Sequence, residues 1–408
     1  MKAGYLSQYF TGVAAKILTA VETDGFTSNQ HEFNGVSPLK KIFGAPIGKV
    51  KLEAKFLYLN DSDDEPVVDE GFLTWYDARE KHPTRSECRL YFPTTTVSMC
   101  AAPGDLLVIA QTPEKKVLTI ICEQESTIAN QVKWLFGLSD SEHPGFSVRG
   151  ELESEQDKIA FASSIILEQL GIELKETAET YLDDMREKFG EQFPKTSVFS
   201  EYARSTVSGV DSINDPDGTL IAWVEREEIL FRTFEKHIIA ERLNNGFGED
   251  MVDDFIAFSL SVQNRRKSRV GYALEHHIEQ ILLDNGITCS RTKVTENKSK
   301  PDFIFPSIEH YNDENFDTNL LTMLGSKSTC KDRWRQVLSE ADRIEHKHLL
   351  TLQAAISENQ TNEMKERHLQ LVVPRPLHYT YSFEQQQWLM DLKSFINLVR
   401  ERQEQANR

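Results

Sequence analysis

Two carboxylates and a lysine in the second half of the chain are the residue types needed for metal-dependent hydrolysis of a phosphodiester. Asp302 begins a short apolar run that is typical of a strand, and Lys327 ends a second apolar run that starts near Leu320. If the two strands are neighbours, the carboxylate and the ammonium lie side by side. The carboxylate can then bind a divalent cation, while the ammonium orients a water molecule and offsets phosphate charge.

The usual nuclease pattern is Pro-Asp, a variable gap and then acid-x-Lys, but Gly325 occupies the acid position before Lys327. The second metal ligand must therefore come from elsewhere. Thr329 is typical of a helix N-cap, and Glu340 borders the apolar stripe of the helix that should follow, so we expect Glu340 to supply the missing carboxylate. The alternative, favoured by a bare Pro-Asp and Lys pattern, is that these are ordinary surface charges. The stripe consists of Trp334, Val337, Leu338, Ala341 and Ile344.

A longer resemblance favours the chemical interpretation over ordinary surface charges. From about Glu191 to the C-terminus, the sequence resembles the catalytic domain of the EcoRII-type restriction endonucleases. In that family the acid of the usual motif is likewise displaced onto the following helix, which agrees with Gly325. Four stretches carry the resemblance: Ser261 to Arg269, Lys300 to Ser307, Thr329-Cys330-Lys331-Asp332-Arg333-Trp334-Arg335-Gln336, and Leu371 to Pro374.

The resemblance assigns roles to individual residues. It implies that Asp302 and Glu340 hold Mg²⁺ and that Lys327 is the catalytic lysine. It also implies catalytic roles for Tyr311 and Lys331. The same resemblance places Glu275, on an upstream helix, near the metal.

Base recognition is expected from the helix that also supplies Glu340. Asp332 would accept a hydrogen bond from cytosine N4 and Arg333 would donate to guanine O6 and N7. The resemblance favours a CC-x-GG type of target. A palindromic target predicts a homodimer with one active site for each strand.

The formal net charge of −18 is unusual for a DNA-binding protein, so DNA contacts are expected to be local. Basic residues cluster at Arg265 to Arg269, Arg291 to Lys300 and Lys331 to Arg335, although each cluster could also be a solvated helix face. The predicted DNA-binding residues are Arg265, Arg266, Lys267, Arg269, Asp332, Arg333 and Arg335.

Histidines in this half of the chain are expected to be structural. His276 and His277 are adjacent on a predicted helix, where neighbouring side chains point about 100° apart and cannot easily share an ion. The pair His346 and His348 receives the same interpretation.

The pattern of apolar runs predicts an α/β protein with two domains. Short β-rich runs broken by turn signals indicate a β-rich, pseudobarrel-like domain at residues 1–145. An acidic helical linker is predicted at 146–190. For residues 191–408, the family resemblance implies a restriction-endonuclease-like PD-(D/E)XK domain, with a mixed sheet flanked by helices.

The resemblance also implies what the two domains do. In two-domain members of the family, an N-terminal pseudobarrel senses a second copy of the site and restrains the nuclease. We therefore expect an Mg²⁺-dependent, sequence-specific double-stranded DNA endonuclease of restriction and phage defence, partnered by a DNA methyltransferase. The alternatives are a modification-dependent nuclease and a non-cleaving DNA sensor within a defence complex. With no apolar run long enough to span a bilayer and no signal-peptide core, a cytoplasmic location is expected.

Overall fold

The protein consists of two compact units. The computed structural model describes residues 5–23, 31–33, 36–62, 66–138, 145–150, 152–154, 163, 166–167, 170–172, 181–248, 251–330 and 334–407. Unit 1 comprises Met1–Ile172 and Ala355–Gln360, and unit 2 comprises Glu173–Ala354 and Thr361–Arg408. The division between them falls within the segment 146–190 for which a linker was predicted.

Unit 1 is built on one sheet of mostly antiparallel strands. Its strands are β1 (Gly12–Ile17), β2 (Glu32–Phe33), β3 (Val50–Leu59), β4 (Val67–Asp77), β5 (Cys88–Tyr91), β6 (Leu106–Gln111), β7 (Val117–Cys122) and β8 (Ser147–Arg149). The described helices in this unit are α1 (Ala20–Thr23), α2 (Lys40–Phe43), α3 (Thr96–Cys100) and α4 (Thr127–Phe136).

The strand order in unit 1 is β2-β5-β4-β3-β7-β6-β1-β8, and only β3 and β7 pair in parallel within this sheet. Strands β6 and β7 are buried along their whole length, which is why they appear in the sequence as continuous apolar runs. In the described residues, no pairing joins the edge strands β2 and β8. The β-rich character predicted for this part of the chain is confirmed, while closure into a pseudobarrel stays a prediction.

Helix α4 shows how local sequence signals fix an element of unit 1. The Ser126 side chain accepts a hydrogen bond from the Ala129 backbone N–H at the helix N-terminus, as expected for an N-cap serine. Gly137 ends the helix with a φ of 59°, a left-handed conformation that glycine adopts without strain.

Residues 355–360 add a late segment of the chain to unit 1. The backbone N–H of Ser357 donates to Thr127 Oγ1 at 3.1 Å, and the Asn359 side chain donates to Glu125 Oε2 at 3.1 Å. Unit 1 is therefore discontinuous in sequence, because these contacts join α4 and its approach to residues more than half the chain away.

Unit 2 is a mixed α/β structure. Its described helices are α5 (Leu182–Phe189), α6 (Thr196–Ser205), α7 (Pro216–Asn245), α8 (Val252–Asp284), α9 (Ile308–Asn312), α10 (Trp334–Val337), α11 (Glu358–Glu366, which begins in the segment assigned to unit 1), α12 (Phe383–Trp388) and α13 (Leu392–Ala406). Its strands are β9 (Ser290–Arg291), β10 (Phe303–Phe305), β11 (Thr322–Lys327), β12 (Lys347–Thr351) and β13 (Leu369–Val372).

The sheet of unit 2 has the order β13-β12-β11-β10-β9. Strands β11, β12 and β13 run parallel, whereas β10 pairs antiparallel with both β11 and β9. The mixed sheet predicted for this half of the chain is confirmed. None of the helices in the described part of the chain combines the length and apolar character needed to cross a bilayer.

Candidate active site

Strand pairing brings Asp302 and Lys327 together. Phe303 pairs with Leu324 in the antiparallel register of β10 and β11, so Asp302 lies beside the C-terminal end of β11. The buried Asp302 carboxylate accepts hydrogen bonds at Oδ2 from the Ser326 backbone N–H, at 2.6 Å, and from Lys327 Nζ, at 3.1 Å. The predicted neighbouring strands are confirmed, and they hold a charge pair with a fixed geometry.

Gly325, at the position where the usual nuclease motif has an acid, packs directly under α10. A Cβ atom placed on Gly325 would lie 3.1 Å from Val337 Cγ2 and 3.6 Å from Leu349 Cδ1. These distances leave little room for a carboxylate side chain on β11. The acid must therefore come from another segment.

Glu340 lies in a turn after α10, which corrects the prediction of a continuous helix through Ile344. Helix α10 ends at Val337, and Ala341 has a φ of 49°, a left-handed conformation that stops helical growth. Trp334, Val337 and Ala341 are buried as the apolar spacing predicted. The carboxylate is thus carried by a turn that the apolar stripe anchors.

The Glu340 carboxylate is held in the electrostatic field of Asp302 and Lys327. Burial raises the pKa of Glu340 to about 7, while the positive charge of Lys327 opposes this rise and the negative charge of Asp302 adds to it. In the described part of the chain, Glu340 Oε2 is buried and has no hydrogen-bond partner. A buried carboxylate oxygen without a partner is costly unless a cation satisfies it.

Lys347 secures the turn that carries Glu340. Its buried ammonium donates to the backbone carbonyls of Leu338, at 3.1 Å, and Ala341, at 3.5 Å. Burial lowers the pKa of Lys347, and the nearby carboxylates, Glu340 among them, oppose that effect. Lys347 was not singled out from the sequence, because nothing in a strand-opening lysine indicates which carbonyls it reaches.

Glu275 contributes a further carboxylate from α8. Its Oε2 accepts from Arg291 at 2.8 Å, and Arg291 also donates to Glu279 at 2.6 Å. Burial raises the pKa of Glu275, the Arg291 hydrogen bond opposes the rise, and the Asp302 charge adds to it. Glu275 therefore shares the electrostatic environment of Asp302 and Lys327. Its partner Arg291 had been assigned, from the sequence, to a basic cluster expected to contact DNA.

The donor set fits a hard divalent cation. In the described residues, every hydrogen bond to the Asp302 side chain goes to Oδ2, which leaves Oδ1 free to ligate. Glu340 Oε2 is a second carboxylate oxygen without a partner. Carboxylate oxygens are the ligands that Mg²⁺ prefers, and a cation there would relieve both the burial of Glu340 and its repulsion from Asp302.

Tyr311 belongs to a different set of contacts. It is buried, its hydroxyl donates to Glu296 Oε2 at 2.6 Å, and it accepts from the Arg343 backbone N–H at 3.3 Å. Burial, followed by the hydrogen bond to Glu296, raises the pKa of Tyr311 well above its ordinary value. This geometry favours a supporting role for Tyr311, in which it holds together the segments on either side of the predicted site.

The basic residues predicted to bind DNA on α8 differ in exposure. Arg269 is buried, it is ion-paired with Glu228, and its guanidinium stacks 3.9 Å from the Phe231 ring centroid. This arrangement favours a structural role for Arg269, because its charge is already paired in the interior, and its contact with DNA stays a prediction. Arg266 is largely exposed, although it donates to the buried Glu235 at 2.7 Å.

The other predicted DNA-binding residues are only partly described. Arg265 is half-buried, with its guanidinium 4.7 Å from the Phe193 ring centroid, and the exposed Arg335 donates to Glu363 at 2.7 Å. Lys331, Asp332 and Arg333 lie outside the described residues, as does the side chain of Lys267.

Comparisons with known proteins show which proteins the C-terminal half of the chain resembles. Residues 231–396 match the family model described as EcoRII C terminal. The type II restriction enzyme EcoRII of Escherichia coli is 40% identical over 227 residues, which are 55% of this chain and 55% of that enzyme, so the chain matches about half the length of this relative.

Two kinds of solved structure are also similar. Metal-depleted Ecl18kI in complex with uncleaved, modified DNA has a TM-score of 0.45 at 19% identity and covers 56% of this chain and 85% of its own. The PspGI restriction endonuclease in its substrate DNA complex has a TM-score of 0.42 at 16% identity and covers 52% of this chain and 94% of its own. The family model and the sequence match to EcoRII agree, and residues 231–396 of this chain are similar to the EcoRII C-terminal domain.

Proposed function

We propose that the chain is a type II site-specific deoxyribonuclease that hydrolyses phosphodiesters of double-stranded DNA with Mg²⁺. The observation that carries this proposal is the convergence of Asp302, Lys327 and Glu340, in which a buried carboxylate oxygen without a partner shares the field of a carboxylate–lysine pair. The match of residues 231–396 to the EcoRII C terminal family model supports the same reaction and a PD-(D/E)XK architecture.

In the proposed mechanism Asp302 and Glu340 would hold Mg²⁺, with Glu275 beside them. The bound cation would polarise the phosphoryl oxygen and lower the pKa of water. Lys327 orients the attacking water and offsets the negative charge that develops on the phosphate. The Ser326 backbone N–H donates to the Asp302 carboxylate at 2.6 Å and so orients it beside Lys327.

Sequence recognition is proposed to come from the segment before α10. Asp332 and Arg333 would read cytosine and guanine edges in the major groove of a CC-x-GG type of target. Lys331 would act in catalysis beside them. A two-fold symmetric target requires two active sites, which supports a homodimer. Arg265, Arg266, Lys267 and Arg335 would contact phosphates.

Unit 1 is proposed to bind DNA and regulate cleavage. The resemblance to the two-domain restriction enzymes supports this role, together with a cognate methyltransferase and a cytoplasmic setting. A modification-dependent nuclease, in which unit 1 permits cutting only at altered DNA, is the second candidate.

Cleavage of defined plasmids tests the proposal. Wild-type protein is incubated with unmodified, methylated and hydroxymethylated plasmid in Mg²⁺, and the fragment ends are sequenced. We expect discrete ends that the Lys327→Met variant produces at least about 100-fold more slowly, since a single preorganised charge at such a site has this effect. Lys365→Met, which removes an exposed lysine on α11, is the matched control and should cut at the wild-type rate.

The pattern of cutting separates the two candidates. Cutting of unmodified DNA at one short sequence supports a restriction nuclease, and cutting of modified DNA alone supports the modification-dependent enzyme. Equal rates for Lys327→Met and wild type, or no cutting of any plasmid while DNA binding is retained, would overturn the proposed activity.

A further inference from the structure

Two histidines far apart in sequence lie side by side at one edge of the unit 2 sheet. His346 directly precedes β12 and His368 directly precedes β13, and these parallel strands pair from Lys347 with Leu369 onward. The Lys347 backbone N–H donates to the His368 carbonyl at 3.1 Å. The two imidazole ring centroids are 5.0 Å apart, so the strand register fixes the pair.

Glu345 completes a set of three metal-ligating side chains. One ligand atom from each of Glu345, His346 and His368 lies within 4.8 Å of the other two. All three residues are exposed. Within the part of the chain that the structure describes, none of their side chains forms a hydrogen bond or ion pair with another group, so their lone pairs are available.

We propose that Glu345, His346 and His368 form a binding site for a transition-metal dication of the zinc, cobalt and nickel class. Two imidazole nitrogens and one carboxylate oxygen suit these ions, whereas Mg²⁺ prefers oxygen ligands alone. The site is therefore chemically distinct from the carboxylate site at Asp302 and Glu340. It leaves a coordination position for water.

The geometry requires only side-chain adjustment to close around an ion. Metal–ligand bonds of about 2.0–2.1 Å in a tetrahedral site bring ligand atoms to about 3.3 Å from one another. The present separations are at most 4.8 Å. Exposed side chains can make this change by rotating, and the backbone of both histidines is already fixed by the β12–β13 pairing.

The backbone of His368 is in the left-handed region, with a φ of 55°. Among residues other than glycine, this conformation is uncommon but enriched in asparagine, aspartate and histidine. This conformation ends the turn after α11 and directs the chain into β13. A bound ion would cross-link the starts of β12 and β13 and stabilise unit 2.

Cobalt binding to untagged full-length protein tests the proposal. Excess Mg²⁺ is present throughout to occupy the carboxylate site, and Co²⁺ is followed by its visible absorption and by calorimetry. We expect binding that His346→Gln and His368→Asn each weaken at least about tenfold, since loss of a ligand costs no less than loss of a supporting contact. Asparagine is chosen at position 368 because it tolerates the left-handed backbone.

A second cluster in unit 2 supplies the matched control. Glu191, His237 and Glu241 also place their ligand atoms within 4.8 Å of one another, but Glu191 is already engaged by His237 at 3.1 Å and by Arg186 at 3.6 Å. His237→Gln should bind Co²⁺ as wild type does. The proposal fails if wild-type protein does not bind Co²⁺ in excess Mg²⁺, or if binding is unchanged in both His346→Gln and His368→Asn.

Thermal unfolding gives an independent readout. Zn²⁺ should raise the unfolding temperature of unit 2 in wild type and in His237→Gln, and should leave it unchanged in His346→Gln, because an ion that binds only the folded state stabilises it. An equal shift in all three proteins would also overturn the assignment.

Discussion

The side chain of Val337 occupies the space into which a side chain at Gly325 would grow. A Cβ atom at position 325 would lie 3.1 Å from Val337 Cγ2 and 3.3 Å from Val337 Cγ1. The helix that leads to the Glu340 turn therefore excludes the acid from its usual place on β11. The glycine at position 325 and the displaced acid at Glu340 therefore depend on the same packing of Val337 against β11.

Substitution of Gly325 should destabilise the protein without creating a new metal ligand. Gly325→Ala is expected to lower the free energy of unfolding by about 1–3 kcal/mol, because the added methyl group overpacks the contact with Val337. Gly325→Asp should not restore cleavage to a Glu340→Gln variant. Denaturant unfolding and plasmid cleavage measure the two effects.

Gly271 provides the control for Gly325. It lies within α8, and a Cβ atom there meets nothing within 4 Å. Gly271→Ala should raise the free energy of unfolding by about 0.5–1 kcal/mol, because alanine favours the helix over glycine. Equal stability changes at positions 271 and 325 would contradict the packing argument.

Cation binding at the Asp302 and Glu340 site should depend on pH near neutrality. The pKa of Glu340 is about 7 without a cation, and a cation requires the deprotonated carboxylate. As pH falls below 7 an increasing fraction of Glu340 is protonated, so the affinity for Mn²⁺ should fall by up to about tenfold per pH unit. Titration with Mn²⁺ monitored by electron paramagnetic resonance at pH 6 and pH 8 measures this.

A variant assigns the pH effect to Glu340. Glu340→Gln should bind Mn²⁺ more weakly and with an affinity that changes little between pH 6 and pH 8. A pH dependence that persists undiminished in Glu340→Gln would mean that another group controls cation binding.

Arg269 should matter for stability more than for DNA affinity. It is 7% exposed and its guanidinium lies 3.7 Å from the carboxylate of the buried Glu227, so Arg269→Met removes a positive charge beside a buried carboxylate and should cost about 3–5 kcal/mol of unfolding free energy. The exposed Arg335 is the control, since Arg335→Met should cost less than about 1 kcal/mol.

DNA binding at several salt concentrations distinguishes the two arginines further. Arg335→Met should weaken DNA binding and reduce its salt dependence, because a phosphate contact releases counterions. If Arg269→Met unfolds like wild type but loses DNA affinity, the original prediction that Arg269 faces DNA is supported.

Acid should destabilise unit 2 partly through His348. Burial lowers the pKa of His348 to about 4, from an ordinary value of 6.5, so the unfolded chain binds a proton that the folded protein rejects. Stability is full above pH 6.5 and decreases as pH falls toward 4, by about 3 kcal/mol in total from this residue.

The contribution of His348 is measured by comparison with His348→Gln in metal-free buffer. The free energy of unfolding of this variant should decline less steeply than that of wild type between pH 6.5 and pH 4. Parallel declines would show that the buried imidazole does not control acid stability.

Continuous apolar runs made much of the sheet structure predictable. The β-rich run from Val50 to Leu59 coincides with β3, and the apolar run from Val117 to Cys122 coincides with β7. The long strand β4 was not predicted. Its first half contains the charged residues Asp69 and Glu70 and has no fully buried residue, so it lacks the apolar pattern of a strand. A buried strand can be predicted from its apolar residues. A partly exposed strand such as β4 forms because its neighbours pair with it, and its own sequence gives little sign of this.

In the candidate site too, features set by neighbouring segments were predicted from the sequence, and features set by distant contacts were not. The pairing of Asp302 with Lys327 followed from two adjacent strands, and strand order is often local. The Glu340 turn was expected to be helical, because the spacing of buried residues does not report the left-handed backbone at Ala341. The contact between His346 and His368 could not be predicted from the sequence, because parallel pairing of β12 and β13 across a crossover brings the two residues together.

The discontinuous unit 1 has a consequence for how the protein is made. A fragment that stops near residue 172 lacks the segment Ala355–Gln360, and with it the Ser357 backbone group that donates to Thr127. During synthesis on the ribosome, the first unit to emerge must wait for most of the second before its last contacts form. Unit 1 is therefore completed only when synthesis has reached Gln360, after most of unit 2 but before its last segment, Thr361–Arg408.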